Sequence, residues 1–354
     1  MRVVQVSLVR PRGGPDPETV LEAWPTLSDV ALATHYAGAE EVTVVQAFDR
    51  DAETHVGGVR FQFAKDLRSA VAACRPDVIH VHGLDFAWQT RQLCKLGVPV
   101  LAQDHCSNAA WRPWRRRWGL GRVAGAAFTH ADQAAPFLGN GSLRPGLPVF
   151  AVPESSTRFT PGDREEARRQ CGIFGEPAVL WVGRLNAKKD PLTALAAIER
   201  AVPELPGLRL WCVFHETDLL AEMRARIAAS PLLSEHVRLL GPMSHDEVEI
   251  LCRAADLFLL CSHHEGSGYA LIEAMACGAA PVVSDIPPFR ALTGDGAVGA
   301  LAPVGDAAAF ARGLVEVARQ PAAARRKRTL RHFEQTLSFD AVGARLLAAY
   351  RALA

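Results

Sequence analysis

The sequence predicts an α/β protein of two domains, each built on a parallel sheet with helices on both faces. Three observations carry that prediction. Short apolar runs of strand length alternate with stretches of helical spacing along the whole chain, which is the pattern of repeated strand–helix–strand units. The strand-length runs are apolar nearly throughout, as strands covered on both faces must be. The chain has 354 residues, enough for two domains of ordinary size, and the alternation is interrupted near its middle at Pro153–Asp163, which holds Pro161 and Gly162.

Taken in order, Val3–Val9 reads as a buried strand, followed by a loop, Arg10–Pro17, that holds Gly13 and Gly14. Leu27–Tyr36 has helical spacing, Glu41–Phe48 and Val59–Phe63 are strands, and Ala64–Cys74 is a helix. Asp77–His82 is a strand bounded by Pro76 and Gly83. The helix Phe86–Leu96 stops at Gly97, and the strand Val98–Gln103 follows, with His105 just beyond its end. Open α/β sheets place ligand contacts at such strand ends, so His105 is either a ligand group or a hydrogen-bonded support of its loop. Ala126–His130 and Val149–Val152 are the last strands of the first domain.

Past the crossing, a helix from Arg164 is stopped at Gly172, and the strand Ala178–Val182 leads into Gly183–Asp190. Pro191 suits the first position of the next helix. Leu208–Phe214, the helix Leu219–Ala229 and Val237–Leu240 follow. Ser244 and Glu247 form a capping box that opens a helix to Ala254. The helix Ala307–Ala318, a basic helix over Ala322–Arg331 read as solvated, and the apolar-spaced Ala341–Leu353 complete the chain.

Composition removes several classes. Hydrophobic content is 49%, charged content 22% and the formal net charge +1, so the chain is globular and has no global attraction to nucleic acid. No apolar run approaches the roughly 18–20 residues of a membrane helix, and Met1–Arg10 reads as a first strand rather than a signal peptide. The eight cysteines are scattered without a C-x-x-C pair, which predicts reduced, buried thiols in a cytoplasmic protein. His80 and His82 share one face of a strand, but nothing near them in the sequence completes a metal-ligand set, and no metal is expected.

The most informative stretch runs from Cys261 to Asp285. A buried strand, Leu257–Leu260, ends in Gly266, Ser267 and Gly268, whose backbone N–H groups are left uncovered ahead of an apolar helix starting at Tyr269 and stopped by Gly278. Helix starts carry free N–H donors and a positive dipole end, so this turn can hold an anion. Glu265 stands at the mouth of the helix and Glu273 lies inside it. A lone carboxylate on an apolar helix needs water, a partner or a ligand. Tyr269 and Cys277, the residues facing the same way as Glu273, do not form a polar face, which favours a ligand. Upstream, Arg184 and Lys189 share the loop after the strand Ala178–Val182. The densest basic–aromatic cluster is Trp111–Trp118, W-R-P-W-R-R-R-W, with Arg112, Arg115, Arg116 and Arg117 between tryptophans. It can lie on a membrane surface, bind an anionic acceptor, stack on sugar rings, or be a solvated helix face packed on its domain.

The run from Glu265 to Val283 resembles the E-x7-E segment of family 4 retaining glycosyltransferases of the GT-B fold. Glu265 and Glu273 match its glutamates, and Ala274, Met275, Ala276, Gly278, Pro281, Val282 and Val283 match the run after it. Gly183-Arg184-Leu185 with Lys189 resembles the family's G-R-L-x-x-x-K loop, Lys188 being the neighbouring candidate, and Pro76–Gly83 and Gly97–His105 resemble its N-terminal domain. At Pro153–Pro161 only Phe159 and Pro161 match, with shorter spacing.

The resemblance implies two Rossmann-like domains facing each other across a cleft, with boundaries at 1–158 and 159–334 and a C-terminal helix, about 335–354, crossing back to the first. It implies transfer of a sugar from a nucleotide-diphosphate sugar to an acceptor hydroxyl with retention, without a metal or other cofactor. Arg184 and Lys189 would meet the diphosphate beside the N–H groups of Gly266, Ser267, Gly268 and Tyr269. Glu273 would hold the ribose hydroxyls, Glu265 those of the transferred sugar, and His105 would lie beside donor sugar and acceptor. Gly13 and Gly14 would bring the first domain's backbone to the phosphates. The acceptor would be a glycan, a lipid-linked molecule or a small molecule; apart from the resemblance, a peripheral contact with the inner face of a membrane is one of the readings that the Trp111–Trp118 residues leave open. A sugar-nucleotide epimerase of the same fold and a non-catalytic nucleotide-sugar-binding partner are the competing readings.

Overall fold

The structure is a computed structural model that describes the chain apart from Arg12, Gly14, Trp24 and Cys106 and the side chains of Pro25 and Thr26. The chain divides into two compact units, Met1–Ser156 with Phe339–Ala354, and Thr157–Ser338.

The first unit starts with β1 (Arg2–Ser7), α1 (Pro17–Ala23), α2 (Pro25–Tyr36) and β2 (Glu41–Ala47). Next come β3 (Ala52–Val56), β4 (Val59–Ala64), α3 (Leu67–Ala73), β5 (Val78–His82), α4 (Ala87–Cys94) and β6 (Val100–Gln103). It continues with α5 (Pro113–Leu120), β7 (Gly125–Phe128), α6 (Ala135–Gly139) and β8 (Val149–Ala151). The sheet order is β3-β4-β2-β1-β5-β6-β7-β8, parallel except for β3, so the connection reverses direction between β1 and β5. The β3–β4 hairpin turns on Gly57 and Gly58, both at positive φ, as a two-residue hairpin loop requires. β3 is mostly exposed and polar, which is why no apolar run announces it.

The second unit holds α7 (Arg164–Cys171), β9 (Ala178–Val182), α8 (Pro191–Ala201), β10 (Arg209–Val213), α9 (Leu220–Ala229), α10 (Pro231–His236) and β11 (Val237–Gly241). It continues with α11 (His245–Ala254), β12 (Leu257–Leu260), α12 (Tyr269–Ala276), β13 (Ala280–Ser284), α13 (Pro287–Thr293), β14 (Ala300–Ala302), α14 (Ala307–Arg319) and α15 (Ala322–Thr336). Its six parallel strands run β11-β10-β9-β12-β13-β14, with the switch point between β9 and β12. The Ser244–Glu247 capping box opens α11, and Gly172, at φ 72°, stops α7.

The chain's last helix, α16 (Phe339–Leu353), returns to the first unit, where Val342, Leu346, Leu347 and Tyr350 join the core around β1 and β2. Gly343 permits the close approach, because a Cβ there would stand 2.2 Å from the carbonyl oxygen of Ala33 in α2. The basic stretch of α15 is not wholly solvated. Arg325 is buried, donates from Nη1 to the carbonyls of Val317, Ala318 and Gln320 at the end of α14, and faces Asp256. Carbonyls at a helix end lack the N–H donors of a following turn; the Gln320 backbone N–H reaches only Val317, at 3.3 Å, and the guanidinium donates to all three.

Candidate active site

In the second unit the two loops that flank the switch point meet. The loop after β9 carries Arg184, Lys188, Lys189 and Asp190, and the loop after β12 carries His263, Glu265, Gly266, Ser267 and Gly268. His263 donates its backbone N–H to the Lys188 carbonyl at 2.9 Å, and its Nε2 lies 2.9 Å from the Asp190 carboxylate. The Lys189 ammonium donates to Oε1 of Glu265, which also accepts from the Ser262 hydroxyl at 2.7 Å. Both bonds end on Oε1 of a buried side chain, and Oε2 takes part in neither. Lys188 is exposed and Lys189 lines the pocket, so the register places Lys189 at the site.

That pocket has a volume of about 330 Å³ and opens over the carboxyl ends of β9, β10 and β11. Arg184, Lys189, Tyr269 and Glu273 all line it. Arg184 is more than half exposed and pairs with Glu216 at 3.3 Å; Glu216 also accepts from Asn186. Gly268 caps α12 at φ 68°, without a side-chain cap, and a Cβ there would stand 3.0 Å from Leu292 and Phe289. A side chain would be strained in that conformation and space, and no side chain caps the start of α12.

Glu273 is largely buried, and burial holds its carboxyl above the ordinary carboxylate range, opposed by a 2.9 Å contact with Nε2 of His245. Sequence reasoning treats residues 244–247 only as a cap, so it misses His245, which follows the cap and reaches across to α12. Glu216 is also missed; the only signal for it is the polar run His215-Glu216-Thr217 at the end of β10.

In the first unit, His105 lies beyond the end of β6 and sits in a chain of rings. Its Nδ1 is 3.0 Å from the buried Glu154 carboxylate and its Nε2 is 3.0 Å from Nδ1 of His82. His82 stacks on His80 with ring centroids 4.3 Å apart, and Nδ1 of His80 is 2.7 Å from the Tyr350 hydroxyl. That hydroxyl also accepts from Gln5, whose amide reaches Thr34. Burial is the first cause that drives His80 down to about 3, and it pushes His82 well below the usual imidazole value, so both rings are neutral. Among the described residues Nε2 of His82 is buried without a partner, a polar atom that a hydroxylated ligand or water would satisfy. Glu154 lies in the stretch that sequence reasoning gives to the crossing between domains, so its pairing with His105 is not anticipated.

Gly13 adopts φ 83° in the loop after β1, and a Cβ there would meet no atom within 4 Å. Gly14 lies outside the described residues. In the tryptophan–arginine cluster, Arg116 departs from the basic surface expected of it: it is 1% exposed, is paired with Asp85, and donates to the Asn108 and Ala109 carbonyls. It therefore ties α5 to the loop that carries His105. Among the described residues, no group of three or more His, Cys, Asp or Glu side chains gathers to hold a metal ion.

Two Rossmann-like units with these sheets define the class as the GT-B fold. The chain matches HepE from Anabaena in complex with UDP at a TM-score of 0.70 and 16% identity, over 99% of this chain and 100% of that one. It matches a glycosyltransferase from Rickettsia africae at 0.71 and 12%, over 99% and 98%. Residues 163–331 match the family described as glycosyl transferases group 1, and residues 4–134 match Glycosyltransferase Family 4; the chain belongs to this family of glycosyltransferases.

It is 27% identical over 251 residues to a GDP-mannose:cellobiosyl-diphosphopolyprenol alpha-mannosyltransferase of Xanthomonas oryzae pv. oryzae, covering 69% of this chain and 65% of that protein. It is 34% identical over 267 residues to a D-inositol 3-phosphate glycosyltransferase of Geodermatophilus obscurus, covering 67% of this chain and 58% of that protein. The matches thus span about three-fifths to two-thirds of these relatives' length.

Proposed function

We propose that the protein transfers a sugar from a nucleotide-diphosphate sugar to an acceptor hydroxyl, with retention of anomeric configuration and without a metal. The observation that carries this reading is the convergence of Arg184, Lys189, Tyr269 and Glu273 on one pocket at the start of α12. As the glycosidic bond breaks, negative charge grows on the leaving diphosphate while the sugar carbon becomes cationic. Fixed cations and N–H donors aimed at that charge lower the barrier. Arg184, Lys189 and the amides from Gly266 to Tyr269 supply them. Glu273 accepts hydrogen bonds from the ribose hydroxyls, each charged bond contributing about 1.5–3 kcal/mol. Glu265, held through Oε1, offers Oε2 to a hydroxyl of the transferred sugar. In a retaining transfer of this kind the leaving phosphate takes the acceptor's proton, so no carboxylate nucleophile is assigned. His105 is the acceptor-side group of the first unit, and Gly13, with Gly14, is its backbone contact to phosphate.

The GDP-mannose named for one relative and the UDP bound to HepE support a nucleotide-diphosphate donor. A reduced, cytoplasmic setting is part of the reading, supported by seven described cysteines that are all free thiols. So is a peripheral contact of Trp111–Trp118 with the inner face of a membrane; among the described residues no helix is long and apolar enough to cross one.

A thermal-shift screen of UDP-, GDP- and ADP-sugars tests the donor, since a ligand at 100 times its Kd stabilises the folded state by about 2.7 kcal/mol. One class should raise the melting point of the wild type and fail to do so in Glu273→Ala. A shift of equal size in the variant, or none with any donor, rejects the reading.

A further inference from the structure

The first unit carries an unusual surface on its helices α4 and α5. Trp88 on α4 joins Trp111, Trp114 and Trp118 around one depression of about 560 Å³. The four are 61%, 47%, 68% and 46% exposed, and among the described residues no other large exposed hydrophobic side chain lines that depression. Arg112, Arg115 and Arg117 are exposed among them, and Arg91 stacks on Trp118. Among the described residues none of these four arginines has a carboxylate within 4.0 Å, and the one acidic lining residue, Asp85, is paired with Arg116. The face is therefore a cationic patch on a chain whose formal net charge is only +1.

We propose that this α4–α5 face binds the headgroup layer of an anionic lipid bilayer, with the four indoles at the interface and Arg112, Arg115 and Arg117 on lipid phosphates. Indoles have an apolar body and a polar edge, and they favour the boundary between headgroups and hydrocarbon. Arginine pairs with phosphate and keeps its charge there. Tryptophan and arginine are also enriched at protein interfaces, but a protein partner would have to place acidic groups against each of these cations, whereas anionic headgroups supply that charge as a continuous layer. A bilayer accepts several indoles at one depth without a matched pocket. Arg116 belongs to the fold and not to this contact. The same buried guanidinium couples the face to the loop that carries His105, so docking would present that loop toward the lipid surface. The proposal rests on the membrane contact in the proposed function, but its test needs neither donor nor acceptor.

The full chain is mixed with vesicles of phosphatidylcholine, with and without phosphatidylglycerol, then sedimented while tryptophan emission is recorded. Binding should require phosphatidylglycerol, shift the emission to shorter wavelength, and weaken as salt shortens the screening length from about 10 Å at 0.1 M to about 3 Å at 1 M. Trp88→Ser with Trp114→Ser should lower partitioning roughly tenfold or more. Reversing Arg112, Arg115 and Arg117 to Glu should lower it on the order of a hundredfold, each cation contributing about a factor of five. Reversing the exposed Arg224, Lys327 and Arg331 of the second unit should leave it unchanged, and melting points report that every variant folds. Equal binding to both vesicle types, equal loss in the second-unit reversal, or self-association through this face without lipid overturns the proposal. Vesicle binding by a chain that takes no nucleotide sugar would sustain it while rejecting the transferase reading.

Discussion

The pair Lys189–Glu265 gives the sharpest test, because a loop lysine that the sequence offers only as a cation for the diphosphate also holds a buried carboxylate of its own unit. The structure places its ammonium on a buried carboxylate whose other partner on the same oxygen is the Ser262 hydroxyl. Breaking a buried ion pair by deleting one member leaves the other charge uncompensated, at about 3–5 kcal/mol. The Lys189 side chain is one-fifth exposed, which points to the lower end, about 3 kcal/mol for Lys189→Met. For a domain of this size that lowers the melting point by roughly 6–12 °C. Glu265→Gln frees an ammonium that reaches water and should cost about 1 kcal/mol. The double variant removes both charges and should recover about half of the summed loss, a coupling of about 2 kcal/mol. Urea unfolding of the four proteins measures the cycle, with donor turnover read in parallel. The double variant should be folded and inactive, because the cation proposed for the donor phosphates is gone. A coupling below about 0.5 kcal/mol would refute the claim that these residues hold each other, and a double variant with normal turnover would remove Lys189 from the chemistry.

Glu273→Gln should stabilise the ligand-free protein at neutral pH while weakening donor binding. The folded carboxyl is raised above its ordinary 4.5, so its ionisation opposes folding above that value. The wild type should gain stability relative to the variant as pH falls through the raised value, with no further relative change below 4.5, as calorimetry across pH will show. Tyr350→Phe deletes the hydroxyl shared by His80 and Gln5 and should cost about 1–3 kcal/mol, with an altered histidine NMR spectrum at His82 and His105. Gly268→Ala forces a side chain into a left-handed turn against Leu292 and Phe289, and should cost about 1–3 kcal/mol and abolish the donor-induced thermal shift.

Much of this molecule is legible in its sequence because parallel strands buried on both faces must be written as apolar runs. Apart from β3, the strands from Val3 to Leu260 could therefore be read directly. What escaped was written in polar or short segments. β3 is an exposed edge strand, and α10 and α13 are short helices that follow a serine or a proline-rich turn. The site was legible as residue types but not as partnerships. Glu265 and Glu273 flank a glycine turn in the sequence and the family resemblance brings Arg184 and Lys189 to it, but no spacing reveals that Lys189 is held by Glu265, or that His245 and Glu154 come from distant segments to meet Glu273 and His105. Arg116 and Arg325 were misjudged for the same reason. A guanidinium in a basic run looks solvated until the carbonyls it caps are known.

The return of α16 to the first unit has a consequence for how the molecule is made. Thr157–Ser338 is one uninterrupted segment and can close its core as soon as it leaves the ribosome. The earlier segment cannot, since Tyr350 and Leu346, both fully buried in it, are synthesised after the whole of the later one. The half that emerges first therefore finishes last, waiting with the surface of α2 bare, and an aggregation-prone or chaperone-bound intermediate should expose that surface rather than any part of the donor pocket.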